Sequence, residues 1–162
     1  MNSRDAIKSV FTNYANFRGV ATRAEFWWFY AFTVLMNFIF NRLPGDGALG
    51  NAVDVLALVY SVGILVPSIA VTVRRFHDAG FSGKWLLLWI APFIAGVFAL
   101  GAAFPYIMSL FQTEAIAESD VLAIAAAILP AMIVIAPVAI FQFVVTVLPS
   151  KSAEAGNTHA AA

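Results

Sequence analysis

Apolar and polar positions along this chain fall into long blocks rather than a short alternation. Four apolar blocks are long enough to cross a bilayer: AEFWWFYAFTVLMNFIFNRL (24–43), AVDVLALVYSVGILVPSIAVTV (52–73), WLLLWIAPFIAGVFALGAAF (85–104) and VLAIAAAILPAMIVIAPVAIFQFVVTVL (121–148). A spanning helix needs roughly 20 apolar residues. The pattern therefore predicts an all-α membrane protein, a bundle of four transmembrane helices. Ahead of the first block, Ile7, Val10, Phe11, Tyr14 and Phe17 recur at helical spacing. They predict a short amphipathic helix, either lying on the inner leaflet or docked against the end of the bundle. Residues 1–149 make one integral membrane domain, and the small polar tail 150–162 is expected to be disordered.

Composition agrees with the pattern. Hydrophobic residues make up 62% of the chain and charged residues 11%, with a mean hydropathy of +0.87. A soluble domain is nearer 45–50% apolar and about 25% charged, so the bilayer is the natural sink for this much apolar surface. The formal net charge is zero, but the charges are segregated. Arg4, Lys8, Arg18 and Arg23 precede the first span, Arg74, Arg75 and Lys84 lie between the second and third, and Lys151 follows the fourth. The other side has only Arg42, and its 105–120 loop carries Glu114, Glu118 and Asp120. The positive-inside rule then puts both termini and the 74–84 hairpin in the cytoplasm. The first apolar run starts too late and runs too long for a cleaved leader, and reads as an uncleaved signal anchor. With no cysteine in the chain, disulfides, thiolate metal sites and cysteine nucleophiles are excluded.

Polar chemistry concentrates in two stretches. Thr22-Arg23-Ala24-Glu25 fits a capping box, in which Thr22 accepts from the Glu25 N–H and the Glu25 carboxylate reaches back. Glu25 also suits an ion pair with Arg74 or Arg75. Trp27 and Trp28 follow at headgroup depth, as interfacial anchors. In RRFHDAGFSGKW (74–85), Gly80 suits the left-handed position after a helix, Ser82 a helix N-cap, Gly83 the turn, and Trp85 an anchor. Neighbouring residues on a helix diverge by about 100°, so one of Arg74 and Arg75 is expected to face the bundle and the other to snorkel towards phosphates. A metal would want three or four ligands, and His77 has only His159, in the tail, as a fellow histidine. No motif marks a serine or threonine nucleophile beside His77 and Asp78. The balance leans against an enzyme, and no cofactor is expected.

Two motifs taken together resemble the domain of unknown function 805 family. Phe17, Gly19, Arg23, Glu25, Phe26, Trp27 and Phe29 match its first motif. Pro67, Arg74, Arg75, His77, Asp78, Gly80, Ser82, Gly83 and Trp85 match its second. The chain departs from that family at three places: Val20 stands where a basic residue is usual, Lys84 where a bulky residue is common, and AGNTHA is at most a remnant of its closing motif rich in asparagine and glycine. The resemblance implies a small bacterial inner-membrane protein with about four spans, and implies no biochemical activity.

Arg18, Arg23, Glu25, Arg74, Arg75, His77 and Asp78 are thus expected to gather at the cytoplasmic face. As a non-enzymatic module, such a cluster would bind anionic lipid headgroups or a membrane or cytoplasmic protein partner, and no nucleic acid. A small-solute transporter or channel subunit is the alternative, with a path past Asn37, Ser61, Ser68 and Gln142. A lipid-modifying enzyme using His77 and Asp78 ranks third.

Overall fold

The computed structural model describes residues 1–43, 47–110, 118–152, 154 and 156–158. Among these, every regular element is helical: α1 (Ser3–Thr12), α2 (Arg23–Phe40), α3 (Gly47–Asp78), a 3-10 segment (Gly83–Trp89), α4 (Ile90–Leu110) and α5 (Glu118–Val147). The chain forms two compact units, residues 1–83 with 145–162, and residues 84–144. Where the sequence suggests one continuous domain of 1–149, the last residues of α5 fold with the first half. Val145 and Thr146 are buried there.

Among the described residues, three helical stretches are long and apolar enough to cross a membrane: Leu49–Asp78, Gly83–Leu110 and Glu118–Val147. In each, the most apolar window is at most 17% buried within the protein. Side chains such as Leu58, Val62, Phe98 and Ile133 are more than 60% exposed, a surface suited to lipid. The first expected span is α2, at 18 residues. It falls outside those three because Arg23, Glu25, Asn37 and its tryptophans and tyrosine dilute its apolar character. The helices also outrun their sequence boundaries. α3 begins five residues ahead of Ala52 but ends at Asp78, just before the glycine expected to close it, and α4 continues past Phe104 to Leu110.

Proline placement explains two local features. Pro92 has no N–H to give the carbonyl of Leu88, so the α-ladder starts at Ile90, behind a 3-10 turn. Pro67 lies inside α3 and leaves the Gly63 carbonyl without its helical donor. The Tyr14 hydroxyl donates to that carbonyl, and Ser68 Oγ donates to the neighbouring Ile64 carbonyl at 2.7 Å. Helix and proline coexist because side chains satisfy what the ring disrupts.

In the first unit α1 is docked rather than lying free on a leaflet. Asn2 caps it by accepting from the Asp5 N–H at 2.8 Å, and Ala6 and Val10 are fully buried. Val10 joins Ala21, Phe26, Phe29 and Val71 in a core flanked by Trp27, Phe32 and Ile64. Phe11 meets Phe29 and Phe32 edge-on at 6.0 and 6.1 Å. α1 ends at Thr12, so Tyr14 and Phe17 belong to the following loop and are exposed. α2 and α3 run antiparallel: Glu25 meets Arg74 at one end, and Phe40 meets Tyr60 near the other, with ring centroids 5.4 Å apart. In the second unit, the Trp89 indole N–H donates to Gln142 Oε1, and Trp85 packs on Phe141 at 5.3 Å.

Candidate functional site: two ion pairs at the helix ends

α2 starts where Thr22 Oγ1 accepts from the Glu25 N–H at 3.2 Å. The Glu25 carboxylate does not return to the cap. Its Oε1 accepts from Arg74 Nη1 at 2.8 Å and from Ser9 Oγ at 3.1 Å. One buried carboxylate thereby ties α1, α2 and α3 together. Glu25 and Arg74 are 6% and 3% exposed, so the charges are compensated out of water, where losing either partner is costly. Arg74 uses a single nitrogen here, and its buried Nε and Nη2 have no hydrogen-bond partner. Its backbone carbonyl accepts from the Ala21 N–H at 3.0 Å, which seats the 13–22 loop on the end of α3.

Arg75 points the other way and is fully buried. It does not snorkel, because a better set of acceptors lies beside it. The last carbonyls of a helix have no intrahelical donors, and those of α5 end here, where Pro149 prevents continuation. Arg75 Nε donates to the Thr146 carbonyl at 3.1 Å, Nη2 donates to the Leu148 carbonyl, and Nη1 pairs with Asp78 one turn on. Arg23 Nη1 approaches the intervening Val147 carbonyl at 3.4 Å. Two arginines therefore cap the negative end of α5. Among the described residues the buried charges, Glu25, Arg74, Arg75 and Asp78, sum to zero.

The hairpin and the tail close this arrangement. α3 ends in a Schellman turn: the Phe81 N–H donates to the Phe76 carbonyl at 2.9 Å and the Gly80 N–H to the His77 carbonyl at 3.0 Å. Gly80 has φ +82°, which a glycine adopts without strain. Ser82 directly precedes the 3-10 segment. Gly83 is held to hydrogen by space, since a Cβ there would lie 2.7 Å from Val73 Cγ1 and 3.2 Å from His77 Nε2. His77 Nδ1 lies 3.1 Å from the Gly19 carbonyl. An acceptor-only partner makes Nδ1 the donor.

The tail, expected to lack order, is held at Ser150, Lys151 and Asn157. Ser150 Oγ donates to Asp78 Oδ2 at 2.6 Å and the Lys151 N–H to the Asp78 carbonyl at 2.8 Å. Asn157, 3% exposed, donates to the carbonyls of His77 at 2.8 Å and Lys151 at 2.9 Å. Exposed backbone at the hairpin gives this polar segment something to bind, which tail composition does not reveal. His159 lies outside the described residues, as does Glu114.

Of the seven residues expected to cluster, Glu25, Arg74, Arg75 and Asp78 are buried and paired, and His77 is half-buried against the 13–22 loop. Arg18 and Arg23 are exposed. Of the anchors, Trp28 and Trp85 are 47% and 44% exposed, whereas Trp27 is half-buried. Reasoning from sequence missed Ser9, the Tyr14–Gly63 bond, the α5 carbonyls, Ser150 and Asn157. Tyr14 and Pro67 each begin a stretch that carries a motif, which was the available signal for their link.

The chain is similar to two inner membrane proteins of Escherichia coli. YhaI is 36% identical over 86 residues, covering 53% of this chain and 71% of YhaI. YhaH is 36% identical over 89 residues, covering 52% and 72%. The uncharacterized Escherichia coli protein YiiR is 34% identical over 93 residues, 52% of this chain and 58% of its own. No solved structure matches. The model of a family described as protein of unknown function, DUF805, matches residues 14–158, a range that holds both ion pairs, the Schellman turn and Asn157. The chain belongs to that family.

Proposed function

We propose that this protein is a non-enzymatic inner-membrane module with four spans. Both termini and the 74–84 hairpin face the cytoplasm, and its exposed cations engage the anionic headgroups of the inner leaflet. One observation carries the reading. The buried charges are spent on one another, while among the described residues no carboxylate lies within ion-pair distance of Arg4, Lys8, Arg18 or Arg23. Exposed arginine and lysine near a bilayer attract anionic lipid by about 1 kcal/mol each.

Two features support the topology. The antiparallel pairing of α2 with α3 carries α2 across wherever α3 crosses. The bonds linking Gly19, Ala21 and Lys151 to the end of α3 keep the N-terminal segment, hairpin and tail together, as a shared side requires. The names of the Escherichia coli relatives support the inner membrane.

The two other readings draw less support. Asn37, Ser61 and Ser68 donate to carbonyls of their own helices at 2.7–2.8 Å, and Gln142 accepts from Trp89, which leaves little polar chemistry for a solute path. His77 is turned to Gly19 and Asp78 to Arg75 and Ser150, an arrangement that does not set them up as a base and its orienting acid.

The test is the lipid retained through purification in mild detergent, identified by mass spectrometry. Enrichment of anionic phospholipid over its share of the source membrane, reduced in an R4E/K8E/R18E variant, supports the reading. Retained lipid that mirrors the bulk membrane would overturn it.

A further inference from the structure

Resting on that reading, we infer that Arg23, with the groove beneath it, is a discrete site for one anionic phospholipid, the phosphate on the guanidinium and an acyl chain along α2. The groove has a volume of about 520 Å³ and is lined by Arg23, Ala24, Trp27, Trp28, Ala31 and Val147. Its shape follows from helical spacing. Arg23, Trp27 and Ala31 stand at i, i+4 and i+8 on one stripe of α2, and Ala24 and Trp28 stand beside them. Two small alanines beside two large indoles leave a channel that runs from the charge towards the apolar part of the helix. Eight residues of helix give it a length of about 12 Å.

Charge complementarity selects the occupant. The mouth of the groove is a cation and its walls are apolar, the order in which a phospholipid presents phosphate and chain. Arg23 is exposed, and its contact with the Val147 carbonyl is long, at 3.4 Å. It also lies close enough to Arg75 for the two charges to repel. Asp78 neutralises Arg75 alone, so the pocket end keeps one uncompensated positive charge, which a phosphodiester would balance. A guanidinium offers a phosphate two parallel N–H donors, and Trp28, half exposed on the rim, suits headgroup depth.

The experiment reads tryptophan quenching in nanodiscs by lipids brominated on the acyl chain. In a W85F/W89F background, emission comes from Trp27 and Trp28. Brominated phosphatidylglycerol should quench more strongly than brominated phosphatidylcholine at equal mole fraction. R23Q should weaken the apparent affinity for the anionic lipid about fivefold to tenfold, with the melting temperature lowered by no more than the roughly 2–4 °C that losing a weak helix-end cap costs. A31L, which fills the groove, should reduce quenching by both lipids. Three results would overturn the site. The first is an anionic preference that survives R23Q and disappears only in R4E/K8E/R18E, which leaves the general headgroup reading intact. The second is a preference that R23Q and A31L both leave unchanged. The third is equal quenching by the two lipids, which removes the site and leaves the general headgroup reading to the retained-lipid measurement.

Discussion

Removing the Glu25 carboxylate strands a guanidinium that is 97% buried, and the size of the penalty follows from the geometry. In wild type, Oε1 of Glu25 accepts from Arg74 Nη1 at 2.8 Å and from Ser9 at 3.1 Å, and two other Arg74 nitrogens are already without partners. E25L leaves Arg74 with no acceptor at all, and breaking a buried pair in this way costs about 3–5 kcal/mol. E25Q keeps an acceptor in place but loses the charge. The bond from Arg74 stays charge-assisted while the buried guanidinium goes uncompensated, so E25Q should cost less than E25L and still be destabilising. The double variant E25L/R74L removes both charges and should recover to within about 1 kcal/mol of wild type. For a chain of this size, each kcal/mol moves the melting temperature by roughly 2–4 °C. E25L should therefore melt about 6–20 °C lower, followed by tryptophan fluorescence and size-exclusion recovery in detergent. An E25L variant within 1 kcal/mol of wild type, or a double variant as damaged as the sum of its singles, would refute the claim that this pair is a buried structural tie.

Other substitutions separate the roles of neighbouring residues. R74K should be tolerated better than R75K, because Arg74 uses one nitrogen and Arg75 uses three, and lysine cannot reproduce a planar fork; the same melting assay ranks them. Y14F should cost about 1–3 kcal/mol by leaving the Gly63 carbonyl unsatisfied. In a P67A background the restored N–H at position 67 should make Y14F nearly neutral, and an undiminished cost there would break the link. N157A should cost about 1–3 kcal/mol, through its two buried hydrogen bonds to His77 and Lys151, and should speed proteolysis after Lys151; an unchanged digestion pattern would count against a held tail.

Much of this was legible in the chain itself. The apolar blocks give the long helices, Gly80 marks the end of α3, and the capping pattern at Thr22 marks the start of α2. Glu25 and the paired arginines pointed to an ion pair, and adjacency on a helix correctly sent Arg74 and Arg75 in different directions. What adjacency does not reveal is what each one meets. Arg75 finds the bare carbonyls at the end of α5, more than 70 residues away, and no local pattern announces a helix end as a partner. The tail was read from its composition, yet its order comes from the backbone of the hairpin it lies against. α2 lies where the first apolar block predicts a helix, and what that block does not show is that Phe26 and Phe29 fill a core. The same lesson moves the candidate lipid contacts. The most conspicuous charges, in RRFHD, are inside the protein, and the exposed cations include Arg4, Lys8, Arg18 and Arg23.

The central claim, that the joined helix ends and their exposed cations face the cytoplasm, is tested most directly by sidedness of chemical labelling. The chain has no cysteine, so single cysteines at Thr12, Ser82 and Ser119 report without interference. A membrane-impermeant maleimide applied to inside-out vesicles should label Thr12→Cys and Ser82→Cys but not Ser119→Cys, and right-side-out spheroplasts should give the reverse. Labelling of Thr12→Cys and Ser82→Cys from opposite sides, or of both only from outside the cell, would contradict it.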